Sequence, residues 1–165
     1  MVDSPEQRLE RLGLTLSTPF ATMFAYQPAM RHGNTVHVGG QIPKITDEHL
    51  SVYGVLGQDV SEANAVGAVR LCILNSLSWI AHLAQDGLGD IEQVLRLNYY
   101  FQVPLSGFGR MSQVADAGSS LLENILGEKG RHVRSVLGMC ELPRNSPVML
   151  DMVVALRPAS TPNPS

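Results

Sequence analysis

Arg134 is set into an apolar run, residues 133–140, and the turn-forming Pro143-Arg144-Asn145-Ser146-Pro147 separates that run from a second one, 148–156. The pattern predicts a hairpin with a cation built into it. An unpaired guanidinium is too costly to bury, so Arg134 is either one half of a satisfied ion pair or an anion-binding group. His132 lies two residues away and can share a strand face with it, beside whatever Arg134 holds. Upstream, Gly39-Gly40-Gln41 offers two successive residues without a Cβ, which lets a backbone or a ligand approach closely; a plain strand exit has the same sequence. In the second run Asp151 is a carboxylate that could pair with an arginine or activate a water, and Met149 could line a pocket or fill a subunit core. His37 reads as a strand residue, and His32, His49 and His82 fall on a turn, a loop and a helix. No histidine pair has metal spacing, and Cys72 and Cys140 read as buried thiols with no CxxC, so neither a metal nor a cofactor is expected.

These groups have to be positioned by regular elements. Ser4-Pro5-Glu6 predicts a short N-terminal helix with Ser4 as its cap. Residues 22–30 and 34–40 predict two antiparallel strands around Gly33-Asn34. Asp59 and Glu62 approximate a capping box, and Val66, Val69, Ile73, Leu77 and Ile80 then recur at helical spacing to about Gln85. From Val94 to Val103, apolar residues alternate with more polar ones, the clearest strand in the chain. Arg110 to Gly127 predicts a second amphipathic helix, with Val114, Leu121, Leu122, Ile125 and Leu126 apolar. After the first helix the order is β-β-α-β-α-β-β, which predicts an α/β layer with two helices on one face of a mixed sheet. The strand at 148–156 is apolar on both sides apart from Asp151, so it should be central, its second face packing on other subunits.

With 165 residues, 44% of them hydrophobic, the chain can bury one sizeable core. Its net charge of −3, with Lys44 and Lys129 its two lysines, argues against a nucleic-acid partner. The N-terminus lacks the apolar core of a signal peptide and no apolar run reaches about 18 residues, so a cytoplasmic setting without a membrane partner is expected.

The combination of Asn34-Thr-Val-His-Val-Gly-Gly-Gln-Ile-Pro43, a helix beginning near Asp59-Val60, and Arg134-Ser135 followed by Glu141-Leu142-Pro143 and an apolar last strand resembles the Rid/YjgF family, the reactive intermediate deaminases also called endoribonuclease L-PSP. The resemblance covers residues 20–157, leaving 1–19 as an N-terminal helical extension and 158–165 as a disordered tail. It implies a chorismate-mutase-like fold of the bacillus type, and a homotrimer with a ligand cleft at each subunit interface. It further implies that Arg134 clamps the carboxylate of a small imine or enamine acid, and that Tyr26, Gly39, Gly40, Gln41, Val136 and Leu137 line the cleft. Deaminating members carry a glutamate fifteen positions after the arginine, where this chain has Met149. A thioether cannot accept a proton at neutral pH, so the family's water-orienting base is missing and Asp151 is the nearest stand-in. Two functions follow: hydrolysis of an imine to a 2-keto acid and ammonia, or non-catalytic binding of a small carboxylate.

Overall fold

The computed structural model describes residues 3–158, and the tail residues from 159 onward lie outside them. Helix α1 (Pro5–Arg11) begins as its sequence predicts: Ser4 Oγ accepts from the Gln7 N–H at 3.2 Å while the Gln7 side chain accepts from the Ser4 N–H at 2.9 Å. The expected strand at 22–30 is corrected to β1 (Ala29–His32), four residues long. Met23 and Phe24 ahead of it are exposed, and Pro28 has no N–H to give to a ladder. β1 and β2 (Thr35–Gln41) pair as a hairpin with His32 opposite Thr35, and Gly33 sits at φ +57°, a conformation that favours glycine. The cap of α2 (Glu62–Leu83) is Ser61, whose Oγ accepts from the Asn64 N–H; Asp59 turns back instead to the Val55 N–H at 3.0 Å. By length and apolar content α2 could cross a membrane, yet half of its apolar window is buried inside the fold, as suits a core helix.

The remaining elements are β3 (Ile91–Gln102), α3 (Met111–Leu126), β4 (Val133–Met139) and β5 (Val148–Leu156). Their order along the chain is the predicted one. The five strands form a single mixed sheet in the order β1-β2-β5-β3-β4. Leu97, Tyr99, Phe101, Leu150, Met152 and Val154 on one face are fully buried together with Val69, Ile73 and Leu77 of α2 and Leu122 and Ile125 of α3. Each such side chain contributes about 1.5–3 kcal/mol over its exposed state, so this layer dominates the stability.

The predicted hairpin at 133–156 is overturned, because β3 lies between its two strands. β4 pairs with β3 in parallel, Leu97 opposite Arg134, and β5 pairs with β3 antiparallel, Leu97 opposite Met152. Burial explains the placement: β5 buries every second residue completely and must be central, whereas no residue of β4 is fully buried, which suits an edge. Buried Gln102 carries the connection over the end of β3. Its Oε1 accepts from the Leu142 N–H at 2.7 Å, its Nε2 donates to Asn145 Oδ1 at 2.6 Å, and its backbone N–H donates to the Pro147 carbonyl at 3.0 Å. Past β4 the chain turns outward, so Cys140 is exposed rather than buried, while Cys72 is buried as expected and burial pushes its thiol well up.

Asp90 joins the ends of three elements, accepting from the N–H groups of Gln85 and Asp86 at 2.9 and 2.8 Å and facing Arg157 after β5. The Asp86 N–H bond is the main reason its carboxyl titrates below the ordinary aspartate range. A depressed pKa means stability that is present above the unfolded value, near pH 3.9, and lost as pH falls through the folded value. Asp90→Asn is therefore expected to lower Tm at pH 7 by an amount that closes below about pH 4. Thermal melts across pH 3–7 read this directly.

Candidate functional site

Arg134 points to the helical side of the sheet, because its neighbour in register, Leu97, is wholly buried there. Its Nη1 donates to Asp116 Oδ1 at 2.7 Å and to Ser119 Oγ at 3.1 Å, and its Nη2 to the Ser112 carbonyl at 3.4 Å. Ser112, Asp116 and Ser119 follow at steps of four and three, so α3 presents all of them to β4 along one stripe. The Arg134 side chain is 26% exposed and Asp116 63% exposed. The group left open by the sequence is thus seen paired, but at the water-facing rim of a half-buried cluster.

Ser119 Oγ is the centre of that cluster. Besides Arg134 it meets His132 Nε2 at 3.1 Å and the Tyr99 hydroxyl at 3.3 Å, and His132 Nδ1 lies 2.7 Å from the Gly130 carbonyl. Burial drives the Tyr99 phenol far above the ordinary tyrosine range, so it remains a hydrogen donor. Gly118 makes this approach possible: a Cβ there would stand 2.5 Å from the Tyr99 hydroxyl and 2.8 Å from Val69. Sequence reasoning singled out His132 and missed Ser112, Asp116, Ser119 and Tyr99. For Ser112, Asp116 and Ser119 the available signal was the small polar stripe on α3, readable once β4 is known to pack on it, whereas Tyr99 reads as one of the alternating apolar residues of its strand.

Of the other expected site residues, Gly40, Leu137, Met149 and Asp151 lie on the opposite, open face, whereas Gln41 pairs with fully buried Leu150 and is itself buried. Met149 sits between fully buried Val148 and Leu150 and so points away from the helices. Its Sδ fills the space above Gly40, only 2.5 Å from where a Cβ would be. Gly39 packs on the segment before β1, its N–H donating to the Pro28 carbonyl at 2.8 Å, and Gln41 Nε2 donates back to the Gly39 carbonyl at 3.1 Å. Tyr26, two residues before Pro28, is 55% exposed. Leu137 of β4 is on this face and exposed, whereas Val136 turns inward and packs on the core.

Asp151 is also on the open face, and both of its oxygens are engaged, one by Asn98 Nδ2 and the other by the Tyr100 hydroxyl, each at 2.8 Å. The hydrogen bond to Asp151 is the main reason the Tyr100 phenol titrates above its ordinary range. Within one chain, then, Arg134 and Val136 stand on one side of the sheet, and Gly40, Leu137, Met149 and Asp151 on the other. Among the described residues, no three His, Cys, Asp or Glu side chains are grouped to hold a metal ion.

The arrangement at Arg134 can bind a small anion by exchange. An exposed ion pair such as Arg134–Asp116 is worth about 0.2–1 kcal/mol, so a ligand carboxylate meets little resistance in displacing Asp116. Removing the internal competitor with Asp116→Asn is expected to tighten small-carboxylate binding by up to about fivefold, the equivalent of that pair energy. Isothermal titration of the variant and the wild type with a 2-keto acid measures the ratio.

The chain matches the profile of the YjgF/chorismate mutase-like endoribonuclease family over residues 6–156. It is 34% identical over 152 residues to Protein TCP17 of Trypanosoma cruzi, which covers 90% of this chain and 91% of that protein. Among solved structures, a protein of unknown function from Agrobacterium tumefaciens superposes with a TM-score of 0.85 at 33% identity, covering 93% of this chain and 92% of that one. The Escherichia coli YjgF gene product aligns with a TM-score of 0.58 at 16% identity over 85% of this chain and 94% of its own, a likeness of fold.

Proposed function

Because the chain belongs to the YjgF/chorismate mutase-like endoribonuclease family, we propose that it hydrolyses small imine or enamine carboxylates to 2-keto acids and ammonia, with Arg134 as the carboxylate clamp. The observation that carries this reading is the rim position of Arg134: a permanently charged, planar donor on an edge strand, held by side chains of α3 and paired to a carboxylate that water can readily take back. A 2-imino acid offers a carboxylate of the same kind, with its reactive carbon bonded directly to the carboxyl group.

The homotrimer is part of the same proposal. Met30, Leu95, Val133, Leu137 and Met139 put exposed apolar side chains on the open face of the sheet, around the Asn98, Tyr100 and Asp151 group, and such a face suits a neighbouring subunit. Because Arg134 is carried by the edge strand β4, a neighbour packed there that also reaches round this edge would bring its own Tyr26, Gly40 and Met149 toward this chain's Arg134. That would join between subunits the two half-sites that one chain holds apart.

Met149 motivates a second reading, in which the chain binds a small carboxylate without turning it over. No proton acceptor stands at Met149, and Asp151 is already held by Asn98 and Tyr100. Ribonuclease action, the activity in the family's name, is disfavoured by the net charge of −3. The two carboxylate readings separate in one assay, in which an amino-acid oxidase generates imines in the presence of the pure protein. Faster keto-acid release supports the hydrolase. Unchanged release, together with a rise in Tm on adding 2-keto acids, supports the binder.

A further inference from the structure

The cluster around Ser119 contains a proton path that neither the family likeness nor the clamp reading requires. A backbone carbonyl can only accept, so the 2.7 Å contact between His132 Nδ1 and the Gly130 carbonyl places the ring hydrogen on Nδ1. In the neutral ring Nε2 then presents a lone pair, and it faces Ser119 Oγ at 3.1 Å. Ser119 therefore donates its hydroxyl hydrogen to His132. Its two remaining lone pairs accept from Arg134 Nη1 at 3.1 Å and from the Tyr99 hydroxyl at 3.3 Å. This is a hydroxyl backed by an oriented base, with the base itself fixed by a third group, the arrangement that general-base sites use.

We propose that Ser119 and His132 are the water-activating pair of this site and supply the base that Met149 cannot. The proposal rests on the reading of Arg134 as the clamp for an imino acid. When the substrate carboxylate draws Arg134 away from Ser119 and Asp116, Ser119 Oγ gains a free lone pair next to the carbon under attack. A water hydrogen-bonded there attacks the protonated C=N carbon. Its oxygen forms the new C–O bond, the C=N π pair moves to nitrogen, and the released proton passes to Ser119 Oγ as the serine's own hydrogen passes to His132 Nε2. His132 returns that proton through Ser119 to the amine of the carbinolamine. The C–N bond then breaks, the hydroxyl oxygen forms the C=O bond, and the departing ammonia takes the hydroxyl proton. The products are a keto acid and ammonium, with His132 neutral again. The charged and titratable groups facing His132 and Ser119 are Tyr99 from β3, Asp116 from α3 and Arg134 from β4.

Two measurements on the full-length wild type and its variants test the pair. In the oxidase-coupled assay, Ser119→Ala and His132→Gln are each expected to lower kcat by roughly 10²-fold, the lower range for a general base. Their affinities for a 2-keto acid should stay within about twofold, because Arg134 still grips it. Loss of binding and rate together would assign the two residues a structural role, and unchanged rates would remove the relay while leaving the clamp. A wild type that binds keto acids but accelerates no imine would overturn the hydrolase reading, and the relay with it. The second readout needs no turnover: nitrogen-15 NMR of the imidazole should find the hydrogen on His132 Nδ1, and a hydrogen on Nε2 in the neutral ring would overturn the proposal.

Discussion

Arg134→Ala is expected to lower kcat/KM for imino-acid hydrolysis by about 10²–10³-fold, since two hydrogen bonds between charged groups are worth about 1.5–3 kcal/mol each and every 1.4 kcal/mol is a factor of ten. Part of that energy is offset by giving up Asp116 and Ser119, which keeps the estimate below the simple sum. The loss should appear mainly in KM, because the carboxylate is bound in both ground and transition states. Stability should fall by no more than about 1 kcal/mol, as expected for a pair whose acid is mostly in water. Arg134→Lys should recover little, because a point-like ammonium cannot engage both carboxylate oxygens in parallel. Initial rates and melting curves on the three proteins separate a lost clamp from a lost fold.

Gly130→Ala is expected to have the largest effect on the fold. A Cβ at Gly130 would lie 2.4 Å from the Leu122 carbonyl oxygen and 2.8 Å from the Glu123 nitrogen, both in the backbone of α3. Helix backbone cannot rotate aside as a side-chain tip can, so the chain must shift, at a cost of about 1–3 kcal/mol. For a chain of this size that lowers Tm by several degrees. The shift would also be felt at the site, because the Gly130 carbonyl orients His132 and the next strand carries Arg134. Gly109→Ala, where a Cβ would meet nothing within 4 Å, is the matched control and should melt like the wild type. Denaturant titrations of the two variants report the difference.

How far the sequence could be read depends on how local each signal is. The N-terminal cap, the two long helices and the strand at Ile91–Gln102 declare themselves through spacing within one segment, and each lies where its pattern put it. The pairing of β4 was not legible, because two apolar runs joined by a Pro-rich turn have the pattern of a hairpin. Only the complete burial of Leu97, Tyr99 and Phe101 on one face of β3, which suits a strand flanked at both edges, separates them. The segment before β1 misled for a related reason: Phe20, Met23 and Phe24 are apolar enough for a strand but, among the described residues, have no partner strand beside them.

At the site, Arg134 stood out because a charge in an apolar run must be satisfied somehow. Its partners did not, since Ser112, Asp116 and Ser119 form an unremarkable polar stripe until the fold sets α3 against β4. The same holds for Asp151, whose two partners, Asn98 and Tyr100, come from a strand more than fifty positions earlier. Gly39 and Gly40 fit either a plain strand exit or the close approach of a backbone or ligand, and Gly40 does leave room, but Met149 occupies it within this chain.

The most direct test of the clamp is a crystal structure of the protein with a saturating 2-keto acid such as pyruvate. The account predicts the ligand carboxylate on the Arg134 guanidinium through two parallel hydrogen bonds, with Asp116 released to water. An intact Arg134–Asp116 pair, with the keto acid elsewhere or absent, would contradict it.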